Sequence, residues 1–169
     1  GVRRVASCGL ELSMPRPGWT EQSPADWWAA SKRVLAELTA AAREVGGAGI
    51  GGVGLSGQMH GSVFLDRAAL DAAGGAEIDA VRPALLWNDQ RTARECEEIE
   101  SAVGGRAALV QAAGNAALTG FTLPKVLWLR RHEPEAFERT ALVMNPKDFV
   151  RLCLPGEAAA EVGDAAGCL

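Results

Sequence analysis

The stretch IGGVGLSGQMHGSVFLD, Ile50 to Asp66, decides how the chain folds. It opens on small apolar residues, IGGVGLS. A strand buried on both faces looks like this, with glycines where another backbone comes close. It continues through Gln58, Met59 and His60 to Gly61, which permits a sharp turn, and then into SVFLD (Ser62–Asp66), a second short strand. In open α/β sheets ligands bind beyond the carboxyl ends of strands. Gln58 and His60 each donate and accept hydrogen bonds, which suits a polyhydroxylated ligand. An isolated histidine at a strand end is more often a satisfied structural residue, so this tip needs a second one beside it.

Working outward, Val2 to Leu12 reads as a strand and Met14 to Trp19 as a Pro/Gly loop. Ser23, Pro24 and Asp26 form a helix start, with a capping serine, a proline at the first helical position and a Ser-x-x-Asp box. Trp27, Trp28, Val34, Leu35, Leu38, Ala42 and Val45 then recur at three- and four-residue steps, one apolar helix face that Gly46 and Gly47 stop. Downstream, Arg67 to Val81 is a long loop or short helix, and Ala84 to Trp87 is a strand. Asp89 is placed to cap a helix with Ala93, Cys96, Ile99 and Val103 on one face. Glu95, Glu97, Glu98 and Glu100 read as its solvated face.

Gly104 and Gly105 break that helix, and Ala107 to Ala113 is a weak one. Thr122 is placed to cap a helix with Leu123, Val126 and Leu127 on one face and Arg130, Arg131 and His132 in its last turn, where positive charge suits the helix dipole. Glu133-Pro134 starts a short helix through Arg139. Leu142 to Met144 reads as a strand and Asp148 to Leu154 as a helix ended by Pro155-Gly156. Alternating strands and helices predict an α/β fold.

Trp87-Asn88-Asp89 is the second strand end with the right chemistry. An indole covers the C–H face of a sugar while an amide and a carboxylate take hydroxyls. Asp89 as a plain helix cap is the structural alternative, and both roles are compatible. Other motifs carry less. Gly47 to Gly52 and Gly49 to Gly54 both fit GxGxxG, but a dinucleotide site needs a strand before and a helix after, and here the order is reversed. Close helix-to-strand packing is the better reading. No Walker A loop precedes Lys125 or Lys147. GLSGQ, Gly54 to Gln58, misses the nucleophile elbow by one position, so Ser56 reads as structural. Trp19, Trp27, Trp28 and Trp128 read as core, and Lys147-Asp148 as a local ion pair at a helix start.

Composition bounds the rest. The 169 residues make one domain or a large piece of one. The formal net charge of −4 and the absence of a basic stripe exclude the electrostatic footprint of a nucleic-acid binder. No run of 18 apolar residues suggests a membrane span, and no signal-peptide pattern is visible. Cys8, Cys96, Cys153 and Cys168 form no CxxC pair, so free thiols in a cytosolic protein are expected rather than zinc or disulfides. Gly1 falls in what reads as mid-strand and Leu169 follows a polar turn, so the sequence reads as a fragment.

Five blocks, in order, carry a resemblance: PGWTEQSPADWW (Pro17–Trp28), GLSGQMHGSVFLD (Gly54–Asp66), RPALLWNDQRTAREC (Arg82–Cys96), GNAALTGFTLPKVLWLRRHEPEAF (Gly114–Phe137) and NPKDFVRLCLPGE (Asn145–Glu157). Together they resemble the FGGY carbohydrate kinases, and the Gln-Met-His triplet favours the xylulose-directed branch over the glycerol, gluconate or rhamnulose kinases. The resemblance implies a ribonuclease H-like (actin-like ATPase) α/β domain, a mixed sheet flanked by helices and incomplete at both ends. Residues 1–169 would be most of the N-terminal, sugar-binding domain.

It also implies transfer of the γ-phosphoryl group of ATP, with Mg²⁺, to D-xylulose. Met59, His60 and Trp87 would contact the sugar, with Asn88 and Asp89 beside them. The Asp-x-Gly-Thr phosphate loop would lie before Gly1, and the catalytic aspartate after Leu169. Asp164-Ala165-Ala166-Gly167 resembles the family's Ser-Asp-Ala-Ala-Gly turn, and Asp66 to Val81 looks like an insertion in a surface hairpin. His60 would hydrogen-bond a sugar hydroxyl rather than act as general base. A cytoplasmic setting, and a parent protein able to form a homodimer, are further expectations. Another FGGY kinase, acting on a different ketose or polyol, and a non-catalytic sugar-binding module remain open alternatives.

Overall fold

A computed structural model describes residues 1–44, 46, 50–74, 77–154, 158–160, 163, 165 and 168. Its elements are β1 (Glu21–Gln22), α1 (Pro24–Glu44), β2 (Val63–Leu65), α2 (Arg67–Asp71), β3 (Ala84–Leu85), α3 (Ala93–Ala102), α4 (Arg106–Ala113), α5 (Thr122–His132), α6 (Pro134–Arg139), β4 (Leu142–Met144) and α7 (Pro146–Cys153). No helix among the described residues is long and apolar enough to cross a membrane.

The short strands form one antiparallel ribbon. β1 pairs with β3 (Glu21 opposite Leu85), and β2 pairs with β4 (Phe64 opposite Val143). A bridge between Ser62 and Leu85 joins the two pairs, and another joins Ser13 to Glu21. Strand side chains alternate between faces, and the core divides accordingly. Val63, Leu65, Ala84, Leu86 and Met144 pack with Trp27 and Trp28 of α1 and Phe149 and Leu152 of α7. Phe64 and Leu85, on the other face, pack with Trp128 and Leu129 of α5. A third cluster, Cys96, Ile99, Leu109 and Ala117, ties α3 to α4. The ribbon is therefore covered by helices on both faces, the layered α/β arrangement expected, but among the described residues every strand pair is antiparallel, not the mixed sheet expected.

α1 begins at Pro24 as its start signals predict, with Trp27 and Trp28 buried. Several expectations need correction. Val2–Leu12 and Ile50–Ser56 are not regular strands, and both are largely exposed, including Val2, Val5, Ile50 and Val53. An apolar pattern makes a strand only when another backbone takes its N–H and C=O groups, and neither segment has a regular ladder partner among the described residues. The close packing expected of the glycine run is not seen at Gly51, Gly52 or Gly54, where a Cβ would meet nothing within 4 Å. Gly47 to Gly49, Val45, the Pro155-Gly156 stop and most of Asp164–Gly167 lie outside the described residues.

The connection after β2 is only partly loop. Asp66 caps α2 by accepting from the Ala69 N–H at 2.9 Å, and Ile78 returns to the core. The buried stripe of α5 is Thr122, Lys125, Trp128 and Leu129 with Pro124, not the predicted Leu123 face, and Leu123 is exposed. Thr122 is the first residue of α5 rather than its cap. Glu95 does not join the solvated face of α3. It is buried against Arg131, with His132 Nε2 at 3.9 Å.

Gly61 sits where β2 meets the start of α7. A Cβ there would stand 2.5 Å from Pro146 Cγ and 2.9 Å from Cδ, and a rigid proline ring cannot swing aside. Overpacking of this kind costs about 1–3 kcal/mol. Gly61→Ala is expected to lower the unfolding free energy measured by urea titration by that amount, while Gly51→Ala, facing open space, leaves it unchanged.

Candidate functional site

The bridge between Ser62 and Leu85 runs antiparallel, with Ser62 N–H donating to Leu85 O at 2.8 Å and Leu85 N–H to Ser62 O at 3.2 Å. Outward from that bridge one chain bends at His60 and the other turns at Trp87–Asn88. The two polar tips singled out in the sequence therefore leave the ribbon at the same end. Met59 and Trp87 are each 57% exposed, large side chains held at the surface there.

Each tip is held by its own contacts. His60 has a φ of 61°, the only positive φ among described non-glycine residues, and Gly61 N–H donates to Met59 O at 2.8 Å across the bend. The His60 ring stacks on Phe121 with centroids 4.3 Å apart. A third segment, the turn before α5, closes the group. A Cβ on Gly120 would stand 2.1 Å from Trp87 O, so only glycine lets this turn lie against the Trp87 carbonyl. Lys125 joins the turn to the first tip. Its side chain is fully buried, and Nζ donates to His60 O at 2.6 Å and Gly120 O at 2.5 Å.

Behind Trp87 stands a buried ionic layer. Asp89 is 0% exposed. It accepts from Thr20 N–H at 2.7 Å, from Arg91 N–H at 3.0 Å, and from Arg91 Nε and Nη2 at 2.9 and 2.8 Å. Asn88 Oδ1 accepts from Thr20 Oγ1 at 2.8 Å. Arg91 lies over Trp19, 3.9 Å from the ring centroid, and over Trp128 at 4.8 Å, and it also pairs with Glu21 at 2.8 Å. Glu21 in turn takes Arg82, which reaches Glu133. Planar guanidinium groups suit such stacked, bidentate settings.

Of the five residues expected at the site, four are gathered at the surface of these tips. Asp89 is the exception. Its carboxylate is spent on Thr20 and Arg91, so it fixes the Trp87–Asn88 tip from behind. Nor does it cap α3, whose N-cap is Thr92; it closes a turn onto Arg91 instead. Sequence reasoning missed Lys125, Arg91, Arg82 and Glu21, because periodicity counts charged residues as solvent-facing. Gln58, Ser56 and Gly57 line a separate cavity of about 340 Å³ with Cys8, Trp27 and Lys147. Lys147 and Asp148 form the expected local ion pair at 3.0 Å. Cys96 and Cys153 are buried free thiols, and burial raises both, Cys153 to about 11.

With the geometry in hand, comparison with known proteins assigns the class. Residues 2–169 match the model of the FGGY family of carbohydrate kinases, N-terminal domain, and the chain belongs to that family. A xylulose kinase of Klebsiella pneumoniae is 41% identical over 162 residues, 95% of this chain and 30% of that protein. A crystal structure titled as a xyloylose kinase from Brucella ovis superposes with a TM-score of 0.80 at 40% identity, covering 94% of this chain and 30% of that one. Xylulose kinase from Rhodospirillum rubrum gives 0.83 at 30% identity, over 94% and 31%. The chain thus spans about 30% of the length of the curated relatives it matches. The fold is that of the actin-like sugar kinases, as the five sequence blocks implied.

Burial lowers Lys125 from 10.5 to about 7, with the Asp89 charge opposing and Arg91 adding to the effect. Between pH 7 and 10.5 the unfolded chain then holds a proton that the folded chain lacks. Stability should rise with pH through that window, by at most about 1.4 kcal/mol per unit, and be flat with respect to this group below it. Urea unfolding at pH 6.5 and 8.5 checks this: Lys125→Met is expected to remove the rise seen in the unaltered protein.

Proposed function

We propose that this chain is the sugar-binding side of an ATP-dependent kinase that converts D-xylulose to D-xylulose 5-phosphate. The observation that carries the reading is that the His60 and Trp87 tips leave the ribbon at one end and that one turn touches both, Gly120 against the Trp87 carbonyl and Phe121 on the His60 ring. The likeness to xylulose kinases at about 40% identity supports the choice of sugar.

The roles follow from the chemistry. The indole of Trp87 offers an apolar face to the C–H side of a ketopentose. The imidazole of His60, its plane fixed by Phe121, hydrogen-bonds a hydroxyl. Met59 fills apolar space beside it, and Asn88 offers an amide. Asp89 contributes by holding Trp87 and Asn88 in place. Phosphoryl transfer depends mainly on positioning and charge stabilisation, and these residues supply positioning of the acceptor. ATP and a divalent metal belong to the reaction. Among the described residues no group of three His, Cys, Asp or Glu side chains could hold a metal, and the sequence has no Walker-type loop.

The test is kinetic, in the full-length protein. His60→Ala is expected to raise KM for D-xylulose at least tenfold, or to abolish turnover, with the fold intact by circular dichroism. Unchanged kinetics would remove His60 from the site. A stronger preference for glycerol or gluconate across a substrate panel would reassign the substrate within the family.

A further inference from the structure

We propose that Lys125 is a positioning residue for the sugar: by bridging the carbonyls of His60 and Gly120, it locks the imidazole of His60 over Phe121, beside the turn that meets the Trp87 carbonyl. The inference rests on the sugar-binding reading above and adds to it a buried lysine that helical periodicity hides.

Three observations meet at one atom. Lys125 Nζ lies within hydrogen-bond distance of His60 O and Gly120 O, from a side chain with no exposed surface. His60 adopts a left-handed backbone, a conformation unfavourable for a residue bearing a side chain, so something must hold it. The bridge fixes the peptide that follows the strained φ, and with it the direction of the imidazole. Gly120 lies against the Trp87 carbonyl, and Phe121, the next residue, stacks on His60. The same amine therefore sets the gap between the His60 tip and the turn that carries its stacking partner.

A core position that needed only stability would be served by an apolar residue. Burying an ionisable group in its place is costly unless it satisfies particular partners. Here the partners are the backbones of two of the three segments that frame the site. Lys125 touches the backbone of His60, not a reacting atom, so its role is orientation.

Equilibrium binding of D-xylulose to the full-length protein tests this with three variants. His60→Ala is expected to abolish binding. Lys125→Met is expected to weaken it at least tenfold. Leu129→Ala, a fully buried truncation on the same helix, is expected to lower the melting temperature yet keep affinity within threefold. Affinity retained in Lys125→Met but lost in His60→Ala overturns the brace and leaves the sugar site standing. Affinity retained in His60→Ala overturns the sugar site and the brace with it. Equal loss in Lys125→Met and Leu129→Ala reduces Lys125 to a general stabiliser and also overturns the proposal. Should Lys125→Met fail to fold, a crystal structure of the unaltered protein decides: Nζ on both carbonyls with His60 left-handed supports the brace, and Nζ directed elsewhere overturns it.

Discussion

Two backbone hydrogen bonds between Ser62 and Leu85 fix where the chemistry of this domain can be. They join the β1–β3 and β2–β4 pairs into one ribbon. Because pleated strands alternate, the same register decides which side chains meet α1 and α7 and which meet α5. A slip of one residue in β2 would turn Phe64 toward α1 and Val63 and Leu65 toward α5. The core and the candidate site thus share one constraint.

Behind the ribbon's polar end the protein has placed charge where apolar packing would be simpler. Asp89, Arg91, Glu21 and Arg82 form a buried chain of ion pairs capped by Trp19 and Trp128. Buried pairs contribute little net stability but are expensive to break. Their effect here is directional: Asp89 and Thr20 together hold the Trp87–Asn88 tip at two points. Lys125 has the matching place behind His60. Both tips are backed by buried ionisable groups that hold backbone directly, Asp89 through the Thr20 and Arg91 N–H groups and Lys125 through two carbonyls.

Much of this was legible in the residues. Ser23-Pro24 with paired tryptophans announces α1, the short apolar runs before Asp66 and Asn88 announce β2 and β3, and the two tips stand out by composition. What stayed hidden has a physical reason in each case. Val2–Leu12 and Ile50–Ser56 carry strand-like patterns, but pattern reports only what a segment would bury, not whether a partner is present. Asp89 looks like a helix cap because capping and turn-forming aspartates share the same local preference; only the position of Arg91 in space separates them. Lys125 and Glu95 are invisible to periodicity, since both break an apolar stripe that the folded chain completes with ion pairs and carbonyls.

A crystal structure of the full-length protein with D-xylulose bound tests the central claim most directly. The account requires electron density for the ketose between the imidazole of His60 and the indole of Trp87, with the Asp89 carboxylate still on Arg91. Density for the sugar at any other surface of this domain, with the two tips bare, would contradict it.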